Sequence, residues 1–164
     1  MAVSGDRPGS QALAKDLEKR FPEDTCVRFT YLPIHRALLA LNGDFSNATE
    51  HLQAAVPYDL AIPGSWFGFF GNLYAPYVRG EAYLSAHRYA EAAAEFQKIL
   101  GHPGIVFTDP VRVAARLQLG RAFVSAGDGT NAKAAYQDFL TLWKDADPDV
   151  PILKQAQAEY AMLR

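Results

Sequence analysis

The chain has 164 residues, of which 49% are hydrophobic and 21% charged, a composition that is typical of globular domains and argues against wholesale disorder. Its 16 lysines and arginines nearly balance its 18 aspartates and glutamates, so the formal net charge is −2. General nucleic-acid binders usually have a basic excess, so we expect no nucleic-acid partner. The single cysteine, Cys26, excludes an internal disulfide and a cysteine-rich zinc site.

The N-terminus has no apolar stretch of the signal-peptide type, and the longest aliphatic run, residues 37–41, is far shorter than the ~20 residues that cross a bilayer. We therefore expect a cytoplasmic chain that does not contact a membrane. Apolar residues recur at three- and four-residue spacing, and strand-like alternation is nearly absent. Glycines and prolines divide the chain into about eight segments of helical length, which predicts an all-α protein.

Residues 1–24 contain one part of a helical hairpin. Gly5 and Asp6 stand at the turn, Ser10 at a position for a small residue and Leu17 at a core position. Only the second helix of the hairpin is present, because Met1 already falls in the turn. Either the chain is a piece of a longer protein, or this helix caps the fold in an atypical way.

Residues 25–60 contain a degenerate version of the whole hairpin. Its turn at Gly43 is followed by Ala48 and Leu52, which match the small and core positions. The first helix, around residues 27–41, is one residue out of register and contains Pro33. An insertion over residues 57–65 follows.

Residues 65–102 and 109–147 are two copies of one pattern, of which the first is less complete, and an insertion over residues 101–109 separates them. We expect the glycines and alanines of the pattern where two antiparallel helices approach closely, with the aromatic residues filling the space beside them. Asp109 followed by Pro110 is typical of an N-cap and a first-turn proline. The matching residues, in order, are Gly80, Tyr83, Ala92 and Phe96 in the first copy and Gly120, Phe123, Ala132 and Tyr136 in the second.

Residues 150–164 predict a capping helix that begins at Pro151. One apolar stripe contains Ile152, Ala156, Tyr160 and Leu163, and the polar residues lie mostly off it. Asp145, Asp147 and Asp149 before it resemble the start of a calcium loop, but Val150 and Ala156 occupy the positions that need Gly and Glu. We interpret these aspartates as a helix exit followed by an Asp-capped last helix.

The two copies resemble the tetratricopeptide (TPR) repeat, whose pattern is matched by Leu119, Gly120, Phe123, Ala132 and Tyr136. The first copy departs from it at Arg79, where leucine is usual. The resemblance implies a right-handed α-solenoid of about three and a half TPR-like hairpins with a C-terminal capping helix.

A closer resemblance covers nearly the whole chain. Residues 17–25, 77–84, 91–100 and 117–149 are similar to the C-terminal TPR region of bacterial serine/threonine protein kinases of the Acidobacteria type. This implies a sensor or docking module outside the catalytic part. The chain has no His-Arg-Asp, Asp-Phe-Gly, P-loop or dinucleotide motif, so we expect no enzymatic activity and no cofactor.

The remaining polar candidates give weak signals. The four histidines have no metal-ligand spacing, so we expect no metal site, and we interpret His87 and His102 as exposed polar residues. Cys26 is interpreted as a small apolar filler, because no spaced histidine and asparagine accompany it.

The aromatic stretch is the most unusual local feature. It contains Trp66, Phe67, Phe69, Phe70, Tyr74 and Tyr77. Packing against neighbouring helices is the simple interpretation, a partner-binding hot spot is the second, and nucleobase stacking is a third that the scarcity of nearby cations weakens.

TPR arrays bind partners in a concave groove lined by their first helices, and the resemblance places eight residues of this chain there. They are Tyr74, Tyr77, Glu81, Leu84, Leu117, Arg121, Val124 and Ser125. Glu81 would repel a terminal carboxylate, so this groove suits an apolar peptide segment with a few charges. Glu81 and Arg121 could equally form an inter-repeat ion pair.

Three functions stay open at this point. A non-catalytic module that binds a protein or peptide is favoured. The second is a regulatory tail of a signalling enzyme, and the third is a self-association unit in which the apolar face of the N-terminal helix docks on another copy.

Overall fold

The computed structural model describes residues 6–41, 43–61, 73–106 and 109–163. Every regular element in these ranges is helical, which confirms the predicted all-α class. A π-helical turn, Val27–Tyr31, precedes α2, and a 3₁₀ turn, Val56–Tyr58, follows α3. The helices are α1 (Arg7–Arg20), α2 (Leu32–Ala40), α3 (Phe45–Gln53), α4 (Tyr74–Ser85), α5 (Tyr89–Leu100), α6 (Pro103–Val106), α7 (Pro110–Ser125), α8 (Gly129–Leu142) and α9 (Pro151–Ala161).

Aspartate caps set the start of four helices. The predicted cap at Asp109 is confirmed, since its carboxylate accepts a hydrogen bond from the Val111 amide and α7 begins at Pro110. Asp6, Asp44 and Asp128 cap α1, α3 and α8 in the same way. A side-chain oxygen at this position satisfies an amide that has no partner within the helix.

The predicted Asp cap of the last helix is wrong. The residue before α9 is Val150, which has no capping side chain. Asp147 instead accepts a hydrogen bond from the Asp149 amide, and Asp149 pairs with Lys154 at 2.7 Å. The aspartates therefore shape the turn before α9, and Pro151 starts the helix by itself because its fixed φ suits the first helical position.

The register slip in residues 27–41 has a structural cause. The Leu32 amide bonds to the Val27 carbonyl, five residues back, so one turn contains an extra residue. Pro33 comes directly after this turn, and a proline clashes with the carbonyl four residues before it, which favours a wider turn there. The π-helical turn accounts for the single residue by which this segment departs from the other hairpins.

Consecutive helices pack as hairpins in chain order. α2 pairs with α3, α4 with α5 and α7 with α8, and each hairpin also contacts the next through α3–α4, α5–α7 and α8–α9. α2 also lies against α4, and α4 against α7. α1 lies on α2 and the π-helical turn, and the short α6 occupies the predicted 101–109 insertion.

The predicted close approach at the two glycines is confirmed. A Cβ atom on Gly80 would lie 2.6 Å from the Phe96 ring, and one on Gly120 would lie 2.8 Å from the Tyr136 ring. Phe96 and Tyr136 are both buried. The same helix contact is therefore built twice, in α4–α5 and in α7–α8, with an aromatic ring packed on a bare backbone.

The turns of these two hairpins also match. His87 and Gly127 both have positive φ, of 59° and 76°. The next amides, of Arg88 and Asp128, bond to the Tyr83 and Phe123 carbonyls at 2.8 and 2.9 Å. A glycine adopts this left-handed conformation freely, whereas His87 adopts it at some cost.

Candidate functional site

Helices α2, α4 and α7 lie side by side, and the predicted groove residues belong to α4 and α7. We call the side of these three helices that contains those residues the predicted groove face. At its N-terminal end lies a cavity of ≈ 480 Å³. We call it the N-terminal cavity. Tyr31, Ile34, His35 and Leu38 line one wall, and Tyr74, Asp109 and Pro110 line the other.

Local structure positions each wall of the N-terminal cavity. Ile34 and Leu38 are one helical turn apart on α2, so their aliphatic side chains lie on the same side. Tyr74 is the first residue of α4, and its hydroxyl donates a hydrogen bond to Asp109 at 3.1 Å. Burial, followed by the charge of Asp109, raises the pKa of Tyr74, so its hydroxyl keeps its proton and remains a donor.

A chain of polar side chains crosses the next part of the same face. Gln118 of α7 donates to Glu81 of α4 at 3.1 Å, and Tyr77 also hydrogen-bonds to Glu81. Arg121 of α7 pairs with Glu159 of α9 at 2.6 Å through its Nη2 atom. We call these residues, with Tyr136, the polar chain.

The pKa values of the two carboxylates in the polar chain are shifted in opposite directions. It raises the pKa of Glu81 above its usual value, against hydrogen bonds from Tyr77 and Gln118 that lower it. For Glu159 burial acts the same way, but hydrogen bonds from Arg121 and Tyr136 outweigh it and lower the pKa. Glu159 is thus the firmly ionised partner of Arg121.

The structure brings most of the predicted groove residues together. Tyr74 lines the N-terminal cavity, and Tyr77, Glu81 and Arg121 belong to the polar chain. Glu81 and Arg121 are not directly paired, since Gln118 lies between them and Arg121 bonds to Glu159.

Val124 and Ser125 lie further along α7, at the other end of the face. They line a second cavity of ≈ 340 Å³ together with Met162 and Leu163. Leu84 is half-buried and packs against the core between α5 and α7.

The assignment of Leu117 to the groove is wrong. Its side chain is only 2% exposed and packs with Tyr136, Phe139, Leu153 and Ala156 in the core between α7, α8 and α9. Gln118, the next residue, lies instead beside Glu81 of α4. Successive residues of an α-helix are rotated by ~100° about its axis. Adjacent side chains such as Leu117 and Gln118 therefore point to different neighbours.

Sequence reasoning missed Gln118, Glu159 and the wall residues of α2. Gln118 could have been found as the polar residue one turn before Arg121 on α7. Glu159 had no local signal, because its role depends on α9 folding back onto α7. Ile34, His35 and Leu38 were obscured by the register slip that precedes them.

Arg79, noted as the residue that replaces leucine in the first copy, is the centre of a buried ion cluster. It is 1% exposed, and its Nη2 atom pairs with Asp59 and, at 2.8 Å, with Glu95 of α5. Lys98 joins the cluster at 3.0 Å from Asp59. Burial alone would lower the pKa of Arg79, but Glu95 and Asp59 raise it above its usual value.

Ser10 and His35 form a close pair between α1 and α2. The hydroxyl of Ser10 and the Nε2 atom of His35 are in hydrogen-bond contact, and Ser10 is buried. The Nδ1 atom of His35 is buried and has no hydrogen-bond partner among the described residues, whereas the base of a catalytic triad is oriented by a third group at this atom. The geometry favours a contact that holds α1 on α2.

The other polar candidates lie apart from the groove. His87 contacts the Tyr89 hydroxyl on an exposed turn, and His102 contacts the Lys98 carbonyl. His102 is half-buried, so the prediction of an exposed residue is correct for His87 alone. In the described ranges no three histidines, cysteines or carboxylates are grouped as they would be to hold a metal ion.

The aromatic stretch is described only in part. Trp66, Phe67, Phe69 and Phe70 lie outside the described residues, while Tyr74 and Tyr77 face the site. Within the described residues, none of the helices is both long enough and apolar enough to cross a membrane. Comparison of the chain with protein-family models, with curated proteins and with solved structures found no match.

Proposed function

We propose that this protein is a non-catalytic protein-interaction module that binds a peptide or protein segment across α2, α4 and α7. The observation that supports this most directly is the N-terminal cavity, which has a volume of ≈ 480 Å³ and lies between three successive hairpins. Surface concavities of this size with mixed apolar and polar walls are typical of recognition sites.

The proposal includes a TPR-like right-handed α-solenoid. Two observations support it: the repeated glycine–aromatic contact at Gly80 and Gly120, and the stacking of hairpins in which α2 contacts α4 and α4 contacts α7. In such arrays the first helices line the concave surface and leave side chains available to a bound segment.

We also propose that the module serves as a docking or regulatory part of a signalling protein, such as a bacterial serine/threonine kinase. The sequence resemblance to the C-terminal TPR region of such kinases is what supports this. The purified chain should then show no ATP hydrolysis. Turnover that a single substitution abolishes would contradict it.

The groove can be tested without knowing the natural partner. Peptides selected from a random display library against the full chain would be measured by fluorescence anisotropy with the wild type and with Tyr31→Ala. Tyr31 is 45% exposed beside the cavity, so its truncation should weaken binding about tenfold, as for an interface aromatic.

Leu142→Ala is the matched control, because Leu142 is an exposed apolar residue on α8, away from the N-terminal cavity. Its truncation should leave binding unchanged. Selected peptides that bind equally well to the Tyr31→Ala variant would contradict the groove assignment.

Self-association is the second candidate function. The supporting observation is Leu13, which is 55% exposed on α1 beside an open cavity of ≈ 340 Å³ between α1 and α2. A second copy could cover this surface. Light scattering that shows a monomer at high concentration would exclude this candidate.

A further inference from the structure

Two arginines lie one turn apart on α7 without an acidic partner. Arg112 and Arg116 are four residues apart, so their side chains lie on the same side of the helix, and both are half-buried. Within the described ranges, neither guanidinium group forms an ion pair or donates a hydrogen bond. Each of the other described arginines contacts a carboxylate or carbonyl oxygen. The pair on α7 therefore differs from every other arginine that the structure describes.

Burial leaves this pair of arginines electrostatically incomplete. The Nε atom of Arg112 is buried and has no hydrogen-bond partner among the described residues. Burial lowers the pKa of Arg116, the positive charge of Arg112 lowers it further, and the charge of Asp138 on α8 opposes both. The two guanidinium groups stay charged at neutral pH, because their pKa is far higher. An unsatisfied donor and two like charges in partly buried surroundings both cost free energy, and an anion would offset both costs.

The two arginines lie on a different side of α7 from the predicted groove face. Arg116 precedes Leu119 by three residues and Gly120 by four, so it lies beside both on the helix surface. Leu119 packs in the core between α5 and α7, and Gly120 packs on an aromatic ring of α8. The arginines therefore lie where α7 faces the space between α5 and α8. From Arg116 to Arg121 of the polar chain, the helix rotates by ~140° about its axis.

We propose that Arg112 and Arg116 form a second binding site, which takes a phosphate monoester group. A planar guanidinium group binds phosphate oxygens through two parallel N–H donors. A phosphate monoester carries a charge of about −1.5 to −2 at pH 7 and presents three acceptor oxygens, so one such group can neutralise both arginines. The inference goes beyond the proposed function, because this site does not belong to the predicted groove face.

Other anions match the two arginines less well. A carboxylate has one negative charge and two oxygens, so it would neutralise one arginine and leave the other without a counter-charge. A phosphodiester, as in a nucleic-acid backbone, also has one charge per group. Nucleic-acid binding depends on contacts with many phosphates in a row, and the chain has a net charge of −2. The doubly charged monoester is therefore the anion that suits this site.

The test uses four small probes that differ in charge. Nα-acetyl-phosphoserine methylamide, its serine and glutamate analogues, and dimethyl phosphate would be titrated into the full chain, with NMR detection of the Nε–H signals of Arg112 and Arg116. An ionic strength of about 0.15 M screens exposed charges beyond about 8 Å. We expect saturable shifts with the phosphoserine probe, much weaker binding of glutamate and dimethyl phosphate, and none of serine. Equal binding of glutamate or dimethyl phosphate, or no binding of phosphoserine, would overturn the proposal.

Inorganic phosphate distinguishes two sources of the same group. If it binds as tightly as the phosphoserine probe, the site recognises the phosphate alone, as it would in a small phosphorylated molecule. If the phosphoserine probe binds more tightly, the backbone next to the phosphate also contributes, as it would in a phosphorylated partner protein. Both results support the site, because the bound group is a phosphate in each case.

Substitutions of the two arginines test the site directly. Arg112→Gln and Arg116→Gln should each weaken binding of the phosphoserine probe about tenfold, as expected when one partner of a hydrogen-bonded charge pair is lost. The control is Lys15→Gln combined with Lys19→Gln, since these lysines are also four residues apart but are exposed on α1. This control should leave the affinity unchanged.

The control also separates a specific site from general attraction to positive charge. The double arginine variant and the double lysine variant change the net charge by the same amount, so an equal loss of affinity in both would overturn the proposal. An unaltered affinity in the double arginine variant would overturn it as well. The comparison of probes on the wild-type chain decides the proposal even if an arginine variant folds poorly.

Discussion

Gly80 and Gly120 show how a single residue sets the distance between two helices. Each lets an aromatic ring lie directly on the helix backbone, at a place where a Cβ atom would be 2.6 or 2.8 Å from that ring. A larger residue would force the ring, or the whole partner helix, outward. The glycines are therefore packing residues, and their helical conformation is an ordinary one.

We predict that Gly80→Ala and Gly120→Ala each lower the free energy of unfolding by about 1–3 kcal/mol, the usual cost of overpacking. Urea unfolding followed by circular dichroism would measure it. Gly129→Ala is the control, because a Cβ there meets no atom within 4 Å. A loss no greater in Gly80→Ala than in the control would contradict the close-packing account.

His35 gives a second prediction at the residue scale. Burial lowers its pKa below the usual 6.5, and the charge of Arg36 acts in the same direction against an opposing contact with Ser10. The group contributes stability that is complete above pH 6.5 and is lost as the pH falls below it, because the unfolded chain then binds the proton more readily.

The groups that face His35 are Ser10 on α1, Tyr31 and Arg36 beside it, and Tyr74 and Asp109 across the cavity. Unfolding curves measured between about pH 8 and pH 5 should show stability falling with pH in the wild type. In the His35→Gln variant, stability should fall less steeply over the same pH range. Parallel pH profiles for the two proteins would contradict the assignment.

At the scale of elements, α4 is joined to its neighbours by charge as well as by apolar packing. Arg79 occupies the core position that Leu119 fills in α7, and both side chains are buried. Its partners come from two other elements, Asp59 just after the 3₁₀ turn and Glu95 on α5. A leucine at this position would pack but could not neutralise Asp59, so the replacement and the buried aspartate belong together.

We predict that Arg79→Leu lowers the free energy of unfolding by about 3–5 kcal/mol, since it leaves buried carboxylates without their main counter-charge. Adding Asp59→Leu should recover a large part of the loss, because two well-packed apolar residues can replace a buried pair. Urea unfolding of both variants would measure this. If the Arg79→Leu variant were as stable as the wild type, the ion cluster would contribute nothing to the free energy of unfolding.

At the scale of the whole molecule, stability should be unevenly distributed. Each helix contacts mainly its neighbours in the chain, so no single core spans the described residues. α5 buries Ala92, Ala93, Phe96 and Ile99, whereas α1 buries Ser10 alone. Helices with few buried apolar contacts open at the lowest free energy.

We therefore predict that the amides of α1 exchange with solvent much faster than those of α5 and α7. Hydrogen–deuterium exchange with mass spectrometry, at low and high protein concentration, would measure the difference. Protection of α1 that rises with concentration would support self-association. Protection equal to that of α5 at every concentration would contradict the predicted gradient.

The sequence by itself determined the features that depend on neighbouring residues along the chain. Asp109 and Pro110 marked the start of α7, and the spacing of Gly80 to Phe96 and of Gly120 to Tyr136 identified the paired helices. These patterns are local, because capping and hairpin packing involve residues a few turns apart. The register slip before α2 was also visible, although the π-helical turn that explains it was not.

Only the tertiary structure decided which side of each helix faces which neighbour. α7 has apolar residues on several sides, so its sequence could not show that Leu117 enters the core while Gln118 reaches Glu81 on α4. Arg79 pairs with Asp59, and Arg121 pairs with Glu159. Each of these acidic residues lies outside the helix that contains its arginine. The N-terminal cavity likewise exists only where α2, α4 and α7 meet, because its walls come from three separate parts of the chain.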